Sequence, residues 1–539
     1  YHRGTYTSQA RTKRANRQSE CLYHEAEFLA SLAHLWGAEY PRKELEEGWR
    51  LILLNQFHDI LPGSSIGAVY EESRQQYEKI QNLGQKVLEE AMAAIIPQIE
   101  MPEDSIVIFN ALGWKRRDPV EVAVPAGLAG RRLLDSLGRE IPYQVVGKTA
   151  DEIRLVFAPR AIPAYGYEVY RFDKESPAAL LPEGEGVSLR EVGTGAYVLE
   201  NRFFRAAIDP AGRLVSLLDK TAGREVIAEG AAGNELQLFE DKPLRFDAWD
   251  INLFYREKKW TLEDPAEIRV LERGPLRAVL EIRRRFGRSP LVQRIVAHAG
   301  LPRLDFRTEV DWHERHTLLK VAFPVEVHAM AATYEIQFGS LERPTHTNTS
   351  WDWARFEVPA QKWADLSEGG YGVSLLNDGK YGYDVHENIL RLSLLRSPTH
   401  PDPEADQGRH EFTYSLYPHR GDWRRGTVRR AYELNLPLRA YFVPAHPGRR
   451  PARFGLVRAD ARHVVIETVK KAEEGPGLIV RVYEAHGRRG PVTLSFGLPL
   501  RAAYECNLVE EEEREIPYEG EKLRFWITPY QIRTFRVEI

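Results

Sequence analysis

The sequence predicts an α+β multidomain protein with an N-terminal antiparallel three-helix bundle followed by antiparallel β-sandwich domains. In roughly the first hundred residues, apolar side chains recur at three- and four-residue steps, the spacing of amphipathic helices. Beyond them, short segments with period-two or β-branched character are separated by Gly, Pro and Asp, as in strands joined by tight loops. Parallel strands need long connections, usually helices, and no helical pattern intervenes, so we expect antiparallel sheets.

Three helices are expected in the N-terminal region. The first follows an apolar stripe that starts at Leu22 and ends at Gly37. The second becomes apolar on most faces toward its C-terminal end and stops at Pro62-Gly63. Ser64 or Ser65 can cap the third, whose apolar positions keep close to a seven-residue repeat. Long helices with short breaks between them predict the antiparallel bundle.

The remainder of the chain is divided at two weak seams. One lies near Glu185-Gly186, and the other is a stretch rich in Pro and Arg at residues 443–455. The predicted domains are a three-helix bundle at 1–103, a small β domain at 104–185, a large β-sandwich at 186–445 and a C-terminal β-sandwich at 446–539.

The composition narrows the classes of function. Lys and Arg number 74 and Asp and Glu 78, which gives a net charge of −4 and no basic footprint for nucleic acid or an anionic membrane. No apolar run approaches the roughly 20 residues that span a bilayer. The two cysteines lie far apart, so no disulfide framework is expected. We therefore expect a soluble, cytoplasmic protein that acts on a neutral or sugar-like substrate, and self-association stays open.

The stretch NQFHDILPGSS, residues 55–65, places a histidine beside an aspartate at the end of an apolar helix. A neutral imidazole is among the commonest metal ligands, and a neighbouring carboxylate can orient it or reach a substrate hydroxyl. In the alternative interpretation, His58 is a partly buried core residue and Asp59 a turn or helix-capping residue. Spacing alone does not decide between the two.

The wider string LLNQFHDILPGSSIGAVYEES resembles the hallmark of the middle domain of glycoside hydrolase family 38, the class II α-mannosidases. The opening YHRGTYTSQARTKRANRQSE is similar to the family segment that leaves the catalytic barrel and enters the helix bundle. The strings NRFFRAAIDPAGRLVSLLDK and LSLLRSPTHPDPEADQGRHEFTYSLYPH resemble the β-sandwich part of the cytosolic and bacterial branch. The resemblance is to the part C-terminal to the barrel, and it implies a mutarotase-like supersandwich.

The resemblance implies a retaining exo-α-mannosidase that removes terminal α-linked mannose from oligosaccharides with one divalent cation, zinc or cobalt. His58 matches a metal ligand of the family, and Asp59 matches a residue that hydrogen-bonds a sugar hydroxyl. Retention needs two carboxyl groups about 5 Å apart. In the family the nucleophile and the other metal ligands belong to the barrel, and a lone imidazole does not hold zinc. We therefore expect an incomplete metal site and no mannosidase activity from this chain alone, both restored by the barrel segment as a partner.

Three further residues are candidates for substrate binding. Tyr334 resembles a sandwich tyrosine that reaches into the sugar site, with a packed strand aromatic as the alternative. Arg396 and Asp406 lie in or beside a long polar loop of the kind that carries function on a β scaffold. For them the alternative is an ordinary loop role.

Two other hypotheses compete with the mannosidase interpretation. The chain could be a non-catalytic carbohydrate-binding or scaffold protein, in which case His58 and Asp59 need no partner segment. A mutarotase-like enzyme that acts through sandwich carboxylates is a third hypothesis, but the sequence shows no recognisable carboxylate pair. The length of the family-like strings favours the mannosidase interpretation.

Overall fold

The computed structural model describes residues 2–177, 181, 184–511 and 514–539. The chain forms two compact units, each assembled from three stretches of sequence. Unit 1 comprises Tyr1–Ser19, Leu51–Glu78 and Pro182–Asn435. Unit 2 comprises Glu20–Arg50, Lys79–Leu181 and Leu436–Ile539. The four predicted domains and their boundaries stay predictions.

The three predicted N-terminal helices are present as α1 (Ala10–Leu35), α2 (Arg42–Asn55) and α3 (Gly67–Ile95). The prediction that the second helix stops at Pro62-Gly63 is wrong, because α2 ends at Asn55 and turns occupy the residues that follow. The shorter helices are α4 (Ser350–Trp353), α5 (Thr427–Asn435) and 3-10 turns at Arg3–Tyr6, Ile96–Gln98, Ala126–Leu128, Tyr255–Glu257 and Trp423–Arg425.

The strands up to residue 177 are β1 (Ser105–Asn110), β2 (Val120–Pro125), β3 (Arg131–Leu134), β4 (Glu140–Ile141), β5 (Tyr143–Lys148), β6 (Glu152–Phe157) and β7 (Gly166–Pro177). The central strands are β8 (Ser188–Glu191), β9 (Tyr197–Glu200), β10 (Phe204–Ile208), β11 (Leu214–Asp219), β12 (Arg224–Glu225), β13 (Glu235–Glu240), β14 (Lys259–Thr261), β15 (Glu267–Arg273), β16 (Arg277–Phe286), β17 (Ser289–His298), β18 (Leu304–Trp312), β19 (Thr317–Pro324), β20 (Ala331–Ile336), β21 (Gly339–Pro344), β22 (Val358–Pro359), β23 (Trp363–Ser367), β24 (Tyr371–Asn377), β25 (Gly382–His386), β26 (Ile389–Arg396) and β27 (Gly408–Arg420). The C-terminal strands are β28 (Arg439–Val443), β29 (Arg453–Gly455), β30 (Val457–Ala459), β31 (Val464–Lys471), β32 (Leu478–Glu484), β33 (Gly490–Phe496), β34 (Ala502–Cys506), β35 (Arg514–Glu515), β36 (Tyr518–Glu519), β37 (Lys522–Ile527) and β38 (Ile532–Glu538).

Unit 1 is built on three sheets within the described residues. Their strand orders are β12-β11-β10-β9-β8, β14-β13-β19-β26-β25-β22 and β15-β16-β17-β18-β27-β24-β23-β20-β21. The second and third sheets face each other, because Phe323 of β19 packs against Phe306 of β18 and Tyr414 of β27, with ring centroids 5.7 and 6.2 Å apart. This pair of sheets is a β-sandwich with an aromatic core.

Unit 2 holds the remaining sheets of the described residues. Their strand orders are β28-β1-β7-β3-β4 with β29 beside β7, β2-β6-β5, β30-β33-β37-β36 and β31-β32-β38-β34-β35. The rings of Phe525 in β37 and Phe535 in β38 pack together, with centroids 4.8 Å apart, so the last two sheets face each other. In both units every strand ladder between described residues is antiparallel, so the predicted fold class is confirmed.

In unit 2, the helices meet around a buried tyrosine. The Tyr23 hydroxyl of α1 donates a hydrogen bond to the Ile80 carbonyl oxygen of α3, at 3.0 Å. A Cβ atom at Gly48 of α2 would lie 1.8 Å from the Tyr23 hydroxyl oxygen, and one at Gly84 of α3 would lie 2.7 Å from the Leu22 side chain. Glycine at these two positions therefore lets both helices approach α1 closely.

In unit 1, α1 begins at Ala10, well before the apolar stripe, because its first turns bury polar side chains. The Asp406 carboxylate, from the loop between β26 and β27, accepts the backbone N–H groups of Gln9 and Ala10, each at 2.8 Å. Asp406 is fully buried, and burial raises the pKa of its carboxyl group against the opposing effect of Arg11. This carboxylate is the N-terminal cap of α1.

Among the described residues, no helix is both long enough and apolar enough to cross a lipid bilayer. Cys21 is half-buried and Cys506 is buried.

We predict that Asp406→Ala lowers the free energy of unfolding by roughly 2 to 4 kcal/mol, because two buried N–H groups lose their acceptor. Denaturant unfolding followed by tryptophan fluorescence measures this change. The matched control is Asp460→Ala, which removes a carboxylate that accepts the Thr493 N–H at an exposed site, at 2.9 Å. We expect the control to cost less than about 1 kcal/mol. Equal losses in the two variants would contradict the capping role.

Candidate functional site

The candidate site is the turn that follows α2. The helix ends at Asn55, whose buried side chain donates to the Leu51 carbonyl and to the Gln76 amide oxygen and accepts from the Ser73 hydroxyl, at 2.9, 2.7 and 2.6 Å. Residues 56–63 then form consecutive turns. Asp59 has a φ of +68°, a left-handed conformation that Asp tolerates better than most residues. His58 and Asp59 therefore lie on a turn beyond the end of α2, and the backbone changes direction at Asp59.

His58 and Asp59 differ in how firmly they are held. The His58 side chain is exposed, and its ring lies 4.1 Å from the Phe57 ring, centroid to centroid. Asp59 is half-buried, and its Oδ1 accepts a hydrogen bond from the Ser64 hydroxyl at 2.6 Å. The Tyr70 hydroxyl donates to the Asp59 carbonyl oxygen, at 2.9 Å. The interpretation of His58 as a core residue is therefore wrong, whereas Asp59 combines a turn conformation with an accessible carboxylate.

The turn rests on the N-terminal segment of unit 1. Lys13 Nζ donates hydrogen bonds to the carbonyl oxygens of Ser8 and Leu61, at 2.5 and 2.7 Å, and burial lowers the pKa of this lysine to about 7. Gly63 has a φ of +86°, and a Cβ atom there would lie 2.4 Å from the Ser8 carbonyl oxygen. Only glycine fits this contact, so the turn has one position relative to Ser8.

The N-terminal segment is in turn fixed to the large sandwich. The Gly4 N–H donates to the Trp249 carbonyl oxygen at 2.8 Å, and the Ser8 hydroxyl donates to the Ala248 carbonyl oxygen at 2.9 Å. Arg396 Nη1 donates to the Ser8 hydroxyl oxygen at 3.0 Å, and Arg396 Nε lies 2.6 Å from a buried Asp241 carboxylate oxygen. The position of His58 thus depends on hydrogen bonds that reach β26.

The other three predicted site residues are all buried. Tyr334 lies beside Tyr383, with ring centroids 6.3 Å apart, and the Arg343 guanidinium lies 4.7 Å from the Tyr334 ring centroid. Burial raises the pKa of the Tyr334 hydroxyl far above its usual value. Arg396 and Asp406 bind the N-terminal segment, as described above. Contact of Tyr334, Arg396 and Asp406 with a substrate stays a prediction.

Exposed apolar side chains surround the turn. Leu53, Leu54, Phe57 and Ile66 are 60, 50, 57 and 57% exposed. Large apolar side chains this exposed, and this close together along the chain, are typical of a surface that another polypeptide covers. We call these four residues the apolar rim.

The sequence interpretation missed an aromatic group beside the N-terminal segment. The His2 and Trp249 rings lie 4.4 Å apart, and Phe246, which is 67% exposed, lies 5.6 Å from Trp249. The stretch KPLRFDAWDINLFYRE in which these aromatics occur has neither a clear helical nor a clear strand period, which is a signal of a loop but not of a site.

A pair of buried carboxylates bears on the third hypothesis. Lys320 forms an ion pair with Glu357, and its Nζ lies 3.7 Å from an Asp384 carboxylate oxygen. Burial raises the pKa of Glu357, whereas the cations Lys320, Arg391 and Arg256 outweigh burial and hold the pKa of Asp384 far below its usual value. Glu357 and Asp384 are 2 and 3% exposed, so a sugar cannot reach them in this conformation.

No group of three or more His, Cys, Asp or Glu side chains that could hold a metal ion occurs in the described part of the chain. His58 and Asp59 supply one nitrogen and one carboxylate, and a stable zinc site needs three or four protein ligands. The described residues of this chain therefore do not fit a complete metal site.

Known proteins match the chain over most of its length. Residues 1–95 match the family model "Alpha mannosidase middle domain", and 199–404 match "Glycosyl hydrolases family 38 C-terminal domain". Residues 463–535 match "Glycosyl hydrolases family 38 C-terminal beta sandwich domain".

Among curated proteins, the chain is 42% identical to "Alpha-mannosidase 2C1" of Homo sapiens, over 98% of this chain and 49% of that protein. It is 33% identical to "Alpha-mannosidase G" of Dictyostelium discoideum, over 99% of this chain and 52% of that protein. The chain thus spans about half the length of the curated relatives it matches.

The crystal structure of an α-mannosidase from Enterococcus faecalis has the same fold, with a TM-score of 0.83 at 18% identity, over 99% of this chain and 68% of that one. The matched domains follow one another in the order helical middle domain, C-terminal domain and C-terminal β-sandwich. The chain therefore belongs to glycoside hydrolase family 38 and carries its middle and C-terminal domains.

Proposed function

We propose that this chain is the C-terminal portion of a metal-dependent retaining exo-α-mannosidase that hydrolyses terminal α-linked mannose in oligosaccharides. Membership of glycoside hydrolase family 38 supports glycoside hydrolysis as the reaction class, and the human and Dictyostelium relatives described above are named as α-mannosidases. The single observation that carries the proposal is that His58 is exposed on a turn whose backbone is fixed by buried hydrogen bonds.

In this proposal, His58 gives one nitrogen to a shared divalent cation, zinc or cobalt, which polarises and orients hydroxyl groups of the sugar when it is bound. Asp59 accepts a hydrogen bond from a mannose hydroxyl through Oδ2, since Oδ1 is held by Ser64. Ser64 and Tyr70 keep the Asp59 carboxylate and backbone in one orientation, which lowers the entropy that substrate binding must remove.

The remaining metal ligands, the nucleophile and the acid/base carboxyl come from a partner polypeptide segment, the catalytic barrel. The apolar rim is where this segment packs in the proposal. Burying the exposed half of each of the four rim side chains contributes roughly 1 kcal/mol per residue. The chain alone therefore lacks both mannosidase activity and stoichiometric zinc, and we keep the cytoplasmic location as part of the proposal.

The first test compares the chain alone with the chain co-expressed with the barrel segment. We expect mannose release from an aryl α-mannoside and one zinc per complex only after co-expression. In the complex, His58→Gln should lower both metal content and activity by about 100-fold or more, because a ligand is lost. His328→Gln changes a histidine that is 80% exposed and far from the turn in sequence, and it should change neither. Mannose release by the chain alone would contradict the proposal.

The second test removes one support of Asp59. In Tyr70→Phe, the Ser65 N–H loses its acceptor and the Asp59 carbonyl loses one of its two donors, which should cost about 1 to 2 kcal/mol of stability. We expect the KM of the complex for the mannoside to rise, because Asp59 is less well oriented. Tyr518→Phe is the control, since that hydroxyl donates to the Arg501 carbonyl at an exposed site. A stability loss with unchanged KM would exclude Asp59 from the sugar site.

The third test addresses the apolar rim. We expect the double substitution Phe57→Ser and Ile66→Ser to weaken co-purification of the barrel segment, because two exposed apolar contacts are lost. The chain itself should remain folded, since both side chains are already exposed. Leu244→Ser and Leu508→Ser, at exposed positions elsewhere, form the matched control. Undiminished co-purification of the rim variant would assign the rim another role.

A further inference from the structure

A pocket of about 260 Å³ lies within unit 1 and does not include His58 or Asp59. One wall is a face of α1 that carries Arg11 and Arg14. The opposite wall consists of Lys380, which follows β24, and of neighbouring side chains at the start of β27. A pocket of this size holds a small molecule of several water-sized groups.

The charged side chains that line the pocket are mainly positive. They are Arg11, Arg14, Lys380, Arg409 and the single carboxylate Glu411. Two of these cations have carboxylate partners, because Arg14 pairs with Glu411 and Arg409 with Glu309, each at 3.0 Å. Arg11 and Lys380 instead donate to the carbonyl oxygens of Gln407 and Leu394, at 2.7 and 2.5 Å. The neutral carbonyl oxygen leaves the Arg11 charge without a counter-charge in the pocket wall. Burial lowers the pKa of Lys380 to about 7, so this side chain carries only part of a positive charge at neutral pH.

Two carboxylates, the half-buried Asp378 and the buried Asp406, lie near the pocket but do not line it. Asp378 accepts the Thr413 N–H at 2.8 Å, and Asp406 caps α1. Burial raises the pKa of both groups, against the opposing effect of nearby cations. Asp378 and Asp406 reduce the positive potential of the pocket. Both carboxylates accept hydrogen bonds from backbone N–H groups, so the arginine N–H groups of the pocket stay available to a ligand.

A buried histidine, His410, also lines the pocket. Burial, together with the cations Arg11, Lys380 and Arg14, holds the pKa of His410 well below its usual value. Its Nε2 lies 2.8 Å from the Asp406 carbonyl oxygen, so the neutral ring donates there. The imidazole is therefore a neutral lining group, and the positive charge of the pocket comes mainly from its arginines.

Arg14 adds an unused donor. Its Nε is buried and has no hydrogen-bond acceptor among the described residues, although its Nη2 pairs with Glu411. A buried donor without an acceptor costs about 1 to 3 kcal/mol, and an oxygen atom of a bound anion would remove that cost. Guanidinium groups match tetrahedral oxyanions especially well, because they offer parallel N–H donors.

We propose that this pocket binds a tetrahedral oxyanion, either free phosphate or the phosphate group of a small phosphate monoester. Arg11 and Arg14 hold the anion from α1, and Lys380 and Arg409 hold it from the sandwich. Glu411 competes with the anion for Arg14. The site would couple the first turns of α1 to β27 when it is filled.

The experiment is calorimetric titration of the full chain with phosphate at an ionic strength held constant with sodium chloride. We expect saturable binding, with Arg11→Gln and Arg14→Gln each about tenfold weaker, because each removes a charge-assisted hydrogen bond. Glu411→Gln should bind more tightly, because it releases Arg14. Arg524→Gln, an exposed arginine of unit 2 that pairs with Glu519, is the matched control and should leave the affinity unchanged.

Two further arms identify the source of the anion. A hexose 6-phosphate that binds more tightly than phosphate would assign the pocket to a monoester, whereas equal affinity would assign it to free phosphate. The unphosphorylated hexose should not bind. Absence of saturable phosphate binding, or weaker binding by Glu411→Gln, would overturn the proposal. Arg11 and Glu411 are exposed side chains, so their variants give a decisive result even if Arg14→Gln fails to fold.

Discussion

The exposed His58 turn depends on a series of hydrogen bonds made by three buried charged side chains, Lys13, Arg396 and Asp406. Lys13 joins the turn to Ser8, Arg396 joins Ser8 to β26, and Asp406 fixes the start of α1. Each of these side chains would be costly to bury alone, and each has polar partners that offset this cost. These hydrogen bonds hold the N-terminal segment against the sandwich, although its described residues belong to no sheet.

The hydrogen bonds that hold the turn bear on the proposed role of His58 as a metal ligand. A metal ligand must lie within a few tenths of an ångström of its place, and loops position ligands less well than helices or strands do. Here the candidate metal ligand, His58, lies on a turn. The Lys13 hydrogen bonds to Ser8 and Leu61, and the close contact of Gly63 with Ser8, replace the support that a helix would give. The imidazole itself is exposed and lies against the Phe57 ring. A held backbone with an exposed ring suits a ligand site that is completed by another segment.

The sequence predicted the helices and the antiparallel sheets well, because both follow from the period of the apolar side chains. It placed the start of α1 too late because polar residues occupy buried positions in the first turns of that helix. It placed the end of α2 too late because Ile60 and Leu61 continue the apolar pattern through the turn. Lys13 and Asn55 are buried through hydrogen bonds and not through apolarity, so a hydrophobic pattern does not register them. The roles of Arg396 and Asp406 were beyond the sequence, since their partners lie almost 400 residues away along the chain.

The stretches of sequence that build the two units alternate along the chain, and this order limits how either unit can be isolated. Helices α1, α2 and α3 each begin in one unit and end in the other, and each unit is made from three separate stretches of sequence. No single truncation can release either unit, since any cut leaves behind stretches that belong to both. Expression of one unit alone would require each of these three helices to be cut and the retained stretches to be joined by new linkers. Evolution faces the same constraint, so we expect these domains to be inherited, duplicated or lost together.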